Sequence, residues 1–151
     1  MDSFFSEIAQ NKVLWISMLA WFIAQSLKVA HTLIVDKRFN VLRFVGSGGM
    51  PSSHSAFVMA MTTTIGQIHG FHSTIFALSL GFALIVMYDA AGVRFAVGNQ
   101  AIILNQMIED FHMRRKDKKL TEHRLKELVG HTQYEVLVGA ILGIVISILF
   151  V

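Results

Sequence analysis

An all-α, polytopic membrane helical bundle is the fold class this chain predicts, and three observations predict it. Of its 151 residues, 54% are hydrophobic and only 15% are charged, a balance too apolar for an ordinary soluble domain. Mean hydropathy is +0.56. The apolar residues also gather in stretches of about twenty, the length a helix needs to cross a bilayer.

A single membrane-embedded domain over 1–151 is expected. The chain has no cysteine, which excludes disulfides, thiolate catalysis and thiolate metal sites. A net charge of +3 and a pI near 9.5 would suit nucleic acid, but the basic residues sit between apolar stretches rather than along one face. Membrane orientation accounts for them, and no nucleic-acid partner is expected.

Residues 1–12 form a short polar lead with Asp2, Glu7 and Lys12, lacking the positive start and small-residue cleavage site of a signal peptide. The first span is expected at about 13–34, interrupted by Gln25, Ser26, Lys28 and His31. A polar connector with Lys37, Arg38 and Arg43 leads to Gly48, Gly49 and Pro51. Proline at a first helical position has its φ preset and forfeits no intrahelical bond, so Pro51 is expected to open the second span, 51–69. The N–H groups of Ser52, Ser53 and His54 would then point out of a helix start, which suits an anion such as phosphate and equally describes a plain cap. Ala56, Ala60 and Thr63 offer a stripe for close helix packing. The third span is placed at 71–94, ending in Tyr88-Asp89-Ala90-Ala91-Gly92-Val93-Arg94. Residues 99–130 form a basic connector that begins as an amphipathic helix with Ala101, Leu104, Ile108 and Phe111 on its apolar stripe. The fourth span is 131–151.

Lysine and arginine crowd the connectors 36–49 and 99–130 and are absent near His69 and Gly70. By the positive-inside rule the first and third connectors are cytoplasmic and both termini lie outside. Lys28, His54, Arg94 and His131 then fall near one cytoplasmic face, each from a different helix. A charge within hydrocarbon costs roughly 2.5–3.5 kcal/mol, so Lys28, Asp89 and Arg94 need partners, water or interfacial positions. Snorkelling of Lys28 and Arg94, or simple pairing of Asp89 with Arg94, would also satisfy them.

His131 and Glu135, four apart, are expected to stack on one helix face, where the carboxylate accepts from the imidazole. Gly139 and Gly143 continue that face as a close-packing seam. A plain i, i+4 pair above a seam is the competing account. His69 and His72, three apart, resemble a metal pair but have no accompanying carboxylate, so an interfacial pair is favoured and no metal is expected.

Pro51-Ser52-Ser53-His54 resembles the second signature of the type 2 phosphatidic acid phosphatase and vanadium haloperoxidase superfamily. His131, Glu135, Gly139 and Gly143 resemble the third. Gly48 to Ala56, Tyr88 to Arg94, Leu104-Asn105 and Leu125 to Thr132 look like the small divergent branch of that superfamily. The resemblance runs from Lys28 almost to the C-terminus.

What the resemblance implies is metal-free hydrolysis of a phosphomonoester through a phosphohistidine. His131 would be the nucleophile, Glu135 would fix its tautomer, and His54 would protonate the leaving oxygen. Lys28, Ser52, Ser53, Arg94 and Lys126 would hold the phosphoryl oxygens, with Asp89 in support. Vanadate would inhibit, and no cofactor is needed. The membrane setting favours a lipid phosphate substrate: phosphatidic acid, phosphatidylglycerophosphate or an isoprenoid phosphate fit alike. Three positions depart from the superfamily: Ser53 replaces a glycine, Glu135 an aspartate, and Leu125 the arginine six residues before the nucleophile. Arg124, Lys126 or Arg94 would have to replace that arginine. A noncatalytic binder or assembly protein for anionic lipid is the alternative, and a homo-oligomer is left open.

Overall fold

A computed structural model describes residues 2–36, 49–115, 125 and 130–151. All its described elements are helices: α1 (Asp2–Ala9), α2 (Lys12–Asp36), α3 (Ser53–His69), α4 (Thr74–Ala91), α5 (Val93–Arg115) and α6 (Gln133–Phe150). Three stretches among the described residues are long and apolar enough to cross a membrane, Lys12–His31, Thr74–Asp110 and Gln133–Phe150.

The bundle is built inside out relative to a soluble protein. Large apolar side chains such as Phe22, Leu78, Ile85, Leu137 and Leu149 are exposed, while Ala20, Ala24, Ala56, Ala60, Thr62, Thr64 and Ser147 are buried. That distribution suits lipid outside and close helix contacts inside, where small residues let backbones approach.

The centre of the bundle is α3, which packs against α2, α4 and α6. It has 17 residues and carries three consecutive threonines, Thr62 to Thr64, and it is not among the three stretches that qualify as spans. The helix expected at 51–69 is enclosed by its neighbours, which answer polar groups along it. Thr62 donates to the Ser79 carbonyl at 3.1 Å, and Thr64 and Ser147 share a hydroxyl contact at 2.9 Å.

Repeats of four residues set the packing. On α6 the series Glu135, Gly139, Gly143 and Ser147 meets Ser52, Ala56, Ala60 and Thr64 at α3 in matching order. A Cβ at Gly139 would overlap the Ser52 carbonyl oxygen, and one at Gly143 would overlap that of Ala56. The matching order makes α3 and α6 parallel, with their N-termini side by side. On α2, Ile16, Ala20 and Ala24 join Ala56, Ala60 and Ile146 in the core. One turn further along the same face comes Lys28.

The third and fourth expectations shift in detail. The α4 helix ends at Ala91, and after Gly92 alone α5 begins at Val93, earlier than the connector expected from residue 99. On α5 the buried positions are Gly98, Ala101 and Asn105, whereas Leu104 and Ile108 are 48% and 40% exposed. The packed face is therefore the small and polar one, not the bulky stripe. The basic run after Arg115, with Arg124 and Lys126, lies outside the described residues, as does Gly48.

Candidate active site

Four chain segments meet at the shared N-terminal end of α3 and α6. The start of α3 differs from expectation: Ser52, not Pro51, is next to the helix, acting as N-cap with its hydroxyl accepting from the Ser55 N–H. Pro51 precedes the cap. The Ser52 N–H donates to the Glu135 carbonyl at 3.0 Å, so this amide joins α3 to α6 and does not face a ligand. Ser53 and His54 occupy the first two helical positions, where amides have no intrahelical acceptor. Ser53 is buried and His54 is exposed.

The start of α6 is also later than expected. Thr132 is the N-cap and Glu135 the third helical residue of a capping box: the Thr132 hydroxyl accepts from the Glu135 N–H, and a Glu135 carboxylate oxygen accepts from the Thr132 N–H at 2.8 Å. The pattern Thr132-Gln133-Tyr134-Glu135 is the sequence signal for such a box. His131 therefore stands outside the helix, and its approach to Glu135 comes from the cap rather than from an i, i+4 stack. Its Nδ1 lies 3.5 Å from the same carboxylate oxygen, close enough for ionic attraction and longer than a hydrogen bond.

His131 is fixed from the other side by α4. Its N–H donates to the Ala90 carbonyl at 3.1 Å, and a Cβ at the preceding Gly130 would collide with the backbone of Arg94 and Phe95. Only a glycine can pass over the α4–α5 junction this closely. The His131 side chain is 5% exposed. Burial, and next the nearby Lys28 charge, push its imidazole below the ordinary value, with Glu135 pulling back and His54 adding to the depression. At neutral pH this imidazole is uncharged, with a lone pair on one ring nitrogen.

Lys28 does not snorkel. It is 2% exposed, because the four-residue face that carries Ile16, Ala20 and Ala24 into the core carries it in as well. The positive charges of Lys28 and Arg94 both act on the His54 ring. Arg94 pairs through Nε with Asp89 across Gly92, and both remain partly open to solvent. Lys28, His54, Arg94 and His131 are thus gathered from α2, α3, α5 and the segment before α6, with Glu135 and Asp89 beside two of them. Lys126 lies outside the described residues. His69 and His72 flank the α3–α4 turn at the opposite end of α3, and among the described residues no three His, Asp or Glu side chains form a metal cluster.

Beside this group lies a feature without a sequence signal. A cavity of about 370 Å³ is lined by Met18 and Trp21 of α2, His54, Phe57 and Val58 of α3, and Phe82 and Val86 of α4. Apart from His54 its walls are apolar. It arises from how three helices are rotated against one another, which periodicity alone does not reveal.

The chain matches the model of the divergent PAP2 family over residues 9–146. It is 39% identical over 150 residues to the uncharacterized membrane protein YuiD of Bacillus subtilis (strain 168), covering 94% of this chain and 95% of that protein. No solved structure matches. The family match spans α2 through most of α6 and so takes in every residue gathered at the site: the chain belongs to the divergent PAP2 family.

Proposed function

We propose that this protein is a membrane phosphatase that hydrolyses a lipid phosphomonoester through a phosphohistidine, with its site toward the cytoplasm. The convergence of Lys28, His54, Arg94 and His131 from separate segments onto the paired N-termini of α3 and α6 carries the reading. Two helix starts and two fixed cations favour a phosphate group, and donors already in place stabilise charge on its equatorial oxygens without reorganising.

In this scheme Nδ1 of His131 faces Glu135, so Nε2 supplies the lone pair that attacks phosphorus. The P–O ester bond breaks as His54 gives a proton to the leaving oxygen. The imidazole becomes cationic when the P–N bond forms, and the Glu135 carboxylate, 3.5 Å away, stabilises that charge. Water then attacks phosphorus, His54 takes its proton, and inorganic phosphate leaves as His131 regains its lone pair.

The apolar cavity supports a lipid substrate. His54 lines it, so a phosphate held among the cations would leave its hydrocarbon part next to Phe57, Val58 and Phe82. Phosphatidic acid, phosphatidylglycerophosphate and isoprenoid phosphates share this chemistry. Purified protein is expected to release phosphate from at least one of them, with vanadate inhibiting and His131→Ala lowering turnover by roughly a thousandfold or more, as loss of a nucleophile does. Equal release by wild type and His131→Ala would refute hydrolysis and leave a lipid-binding role. For orientation, Asp117→Cys is expected to resist labelling by impermeant reagents in intact cells, and labelling from outside would overturn the cytoplasmic placement.

A further inference from the structure

Asn105 of α5 is 4% exposed and uses both ends of its carboxamide on one backbone unit of the returning chain. Its Nδ2 donates to the Leu125 carbonyl at 2.9 Å, and its Oδ1 accepts from the Leu125 N–H at 3.0 Å. The Leu125 residue is 44% exposed, so what is held is the backbone and not an apolar group seeking burial. The held residue lies six positions before His131.

A second hold comes just afterward, where Gly130 presses on the backbone of Arg94 and Phe95 and His131 bonds to Ala90. Asn105 and Phe95 are ten residues apart on one helix, about 15 Å along its axis. Five residue steps join Leu125 to Gly130, with a greatest reach of about 17 Å. The two holds are thus on one helix and only five residues apart along the chain, so the first limits where the chain can enter the second.

We propose that Asn105 is a positioning residue for His131, clamping the returning chain to α5 so that the imidazole is presented in its buried place beside Glu135. The proposal rests on the reading of His131 as nucleophile for its catalytic consequence, and not for its structural one. The side chain suits the task because asparagine sets a donor and an acceptor side by side at short reach. Aspartate keeps the acceptor for the Leu125 N–H but turns a negative oxygen on the Leu125 carbonyl. Glutamine keeps both groups on a longer stem.

The test compares wild type, Asn105→Ala, Asn105→Asp and Asn105→Gln in the same micelles. One readout is phosphate release from a lipid phosphate. The other is the rate at which diethyl pyrocarbonate modifies each histidine, followed by mass spectrometry. His131 is buried, so its rate reports its own exposure, while thermal unfolding in the same micelles reports any general loosening. For Asn105→Ala and Asn105→Asp the expected result is His131 modified several times faster with His54 unchanged. Turnover should fall about tenfold to a hundredfold, as a misplacement near 1 Å produces, with KM within about twofold, and Asn105→Gln should recover part of both. His131 modified at the wild-type rate in Asn105→Ala would overturn the proposal, as would acceleration seen only where the whole protein is already unfolding at the assay temperature. If wild type releases no phosphate while His131 still becomes selectively reactive in Asn105→Ala, the hydrolase reading fails and the positioning role stands.

Discussion

Replacing Gly139 with alanine tests whether the contact between α3 and α6 builds the site. In an open helix interior this exchange stabilises by about 0.5–1 kcal/mol, because alanine has less backbone freedom to lose. At Gly139 the new methyl would overlap the Ser52 carbonyl oxygen and sit 3.1 Å from both the carbonyl carbon and the nitrogen of Ser52. These are backbone atoms at a helix cap and cannot rotate away, so the helices must part. Forced overpacking of this kind costs about 1–3 kcal/mol. Parting also stretches the 3.0 Å bond from the Ser52 N–H to the Glu135 carbonyl, whose net worth is about 0.5–1.5 kcal/mol. The propensity gain offsets only part, leaving a loss of about 1–3 kcal/mol. Gly81, in the interior of α4 with open space where a methyl would stand, is the matched control, and Gly81→Ala should hold or gain stability. Thermal unfolding in identical micelles reads the difference, about 2–4 °C per kcal/mol at this chain length. Phosphate release should fall in Gly139→Ala alone, because the shift moves His54 away from His131. A Gly139→Ala protein that melts as high as Gly81→Ala and keeps full turnover would refute the reasoning.

Two further outcomes follow from the charges around His131. In the proposed hydrolysis the attacking form of His131 is the neutral one, and its folded-state imidazole is held below the ordinary value, chiefly by burial, so turnover should fall as pH drops below about 6.5; because His54 has to carry a proton to act as acid, turnover should fall again on the alkaline side. Stability has the same sign: the unfolded chain binds the proton more readily, so the folded state weakens as pH falls from about 6.5 through the depressed value. A pH–rate profile whose acid limb lies above about pH 7 would contradict this. Lys28 depresses the imidazole and Glu135 raises it, so Lys28→Met should move the limb to higher pH and Glu135→Gln to lower pH. Losing a charge-assisted contact worth about 1.5–3 kcal/mol should also weaken vanadate binding in Lys28→Met about tenfold to a hundredfold, and unchanged inhibition would remove Lys28 from the phosphate site.

The sequence is most legible where a spacing has one geometric meaning. Gly139 and Gly143 can be assigned to a seam because small residues four apart share a helix face, and that seam is where α6 meets Ser52 and Ala56. Helix starts are less legible by one or two residues, and at this site such an error changes a residue's role. Treating Pro51 as helical leaves the Ser52 amide for a ligand, whereas it binds the Glu135 carbonyl. Treating His131 as helical makes its contact with Glu135 an i, i+4 pair, although the capping box from Thr132 is written in the sequence. The enclosed position of α3 is hidden for another reason: Thr62, Thr64 and Ser79 lower hydropathy only modestly, and whether they face lipid or one another depends on tertiary pairing. The cavity at Trp21, Phe57 and Phe82 depends on helix rotation in the same way.

The charges that do meet explain how a membrane protein keeps so polar a junction. Among the described residues at the site, Lys28 and Arg94 are positive, Asp89 and Glu135 are negative, and His131 is held neutral by burial and by Lys28. With the proton that the proposed mechanism gives to His54, the resting group carries only a single positive charge in excess, which limits the cost of its burial. The two acids do not occupy equivalent places. Asp89 is tied to the outer, solvent-open Arg94, whereas Glu135 takes the Thr132 amide while standing 3.5 Å from the buried His131. At rest, Glu135 only partly offsets what burial and Lys28 do to the imidazole. An entering phosphate dianion would offset the Lys28 charge and leave the Glu135 carboxylate facing a ring that turns positive as His131 attacks. In the proposed phosphohistidine reaction the attraction between Glu135 and His131 would thus grow with the charge that develops, which is the condition for speeding a step rather than merely tightening binding.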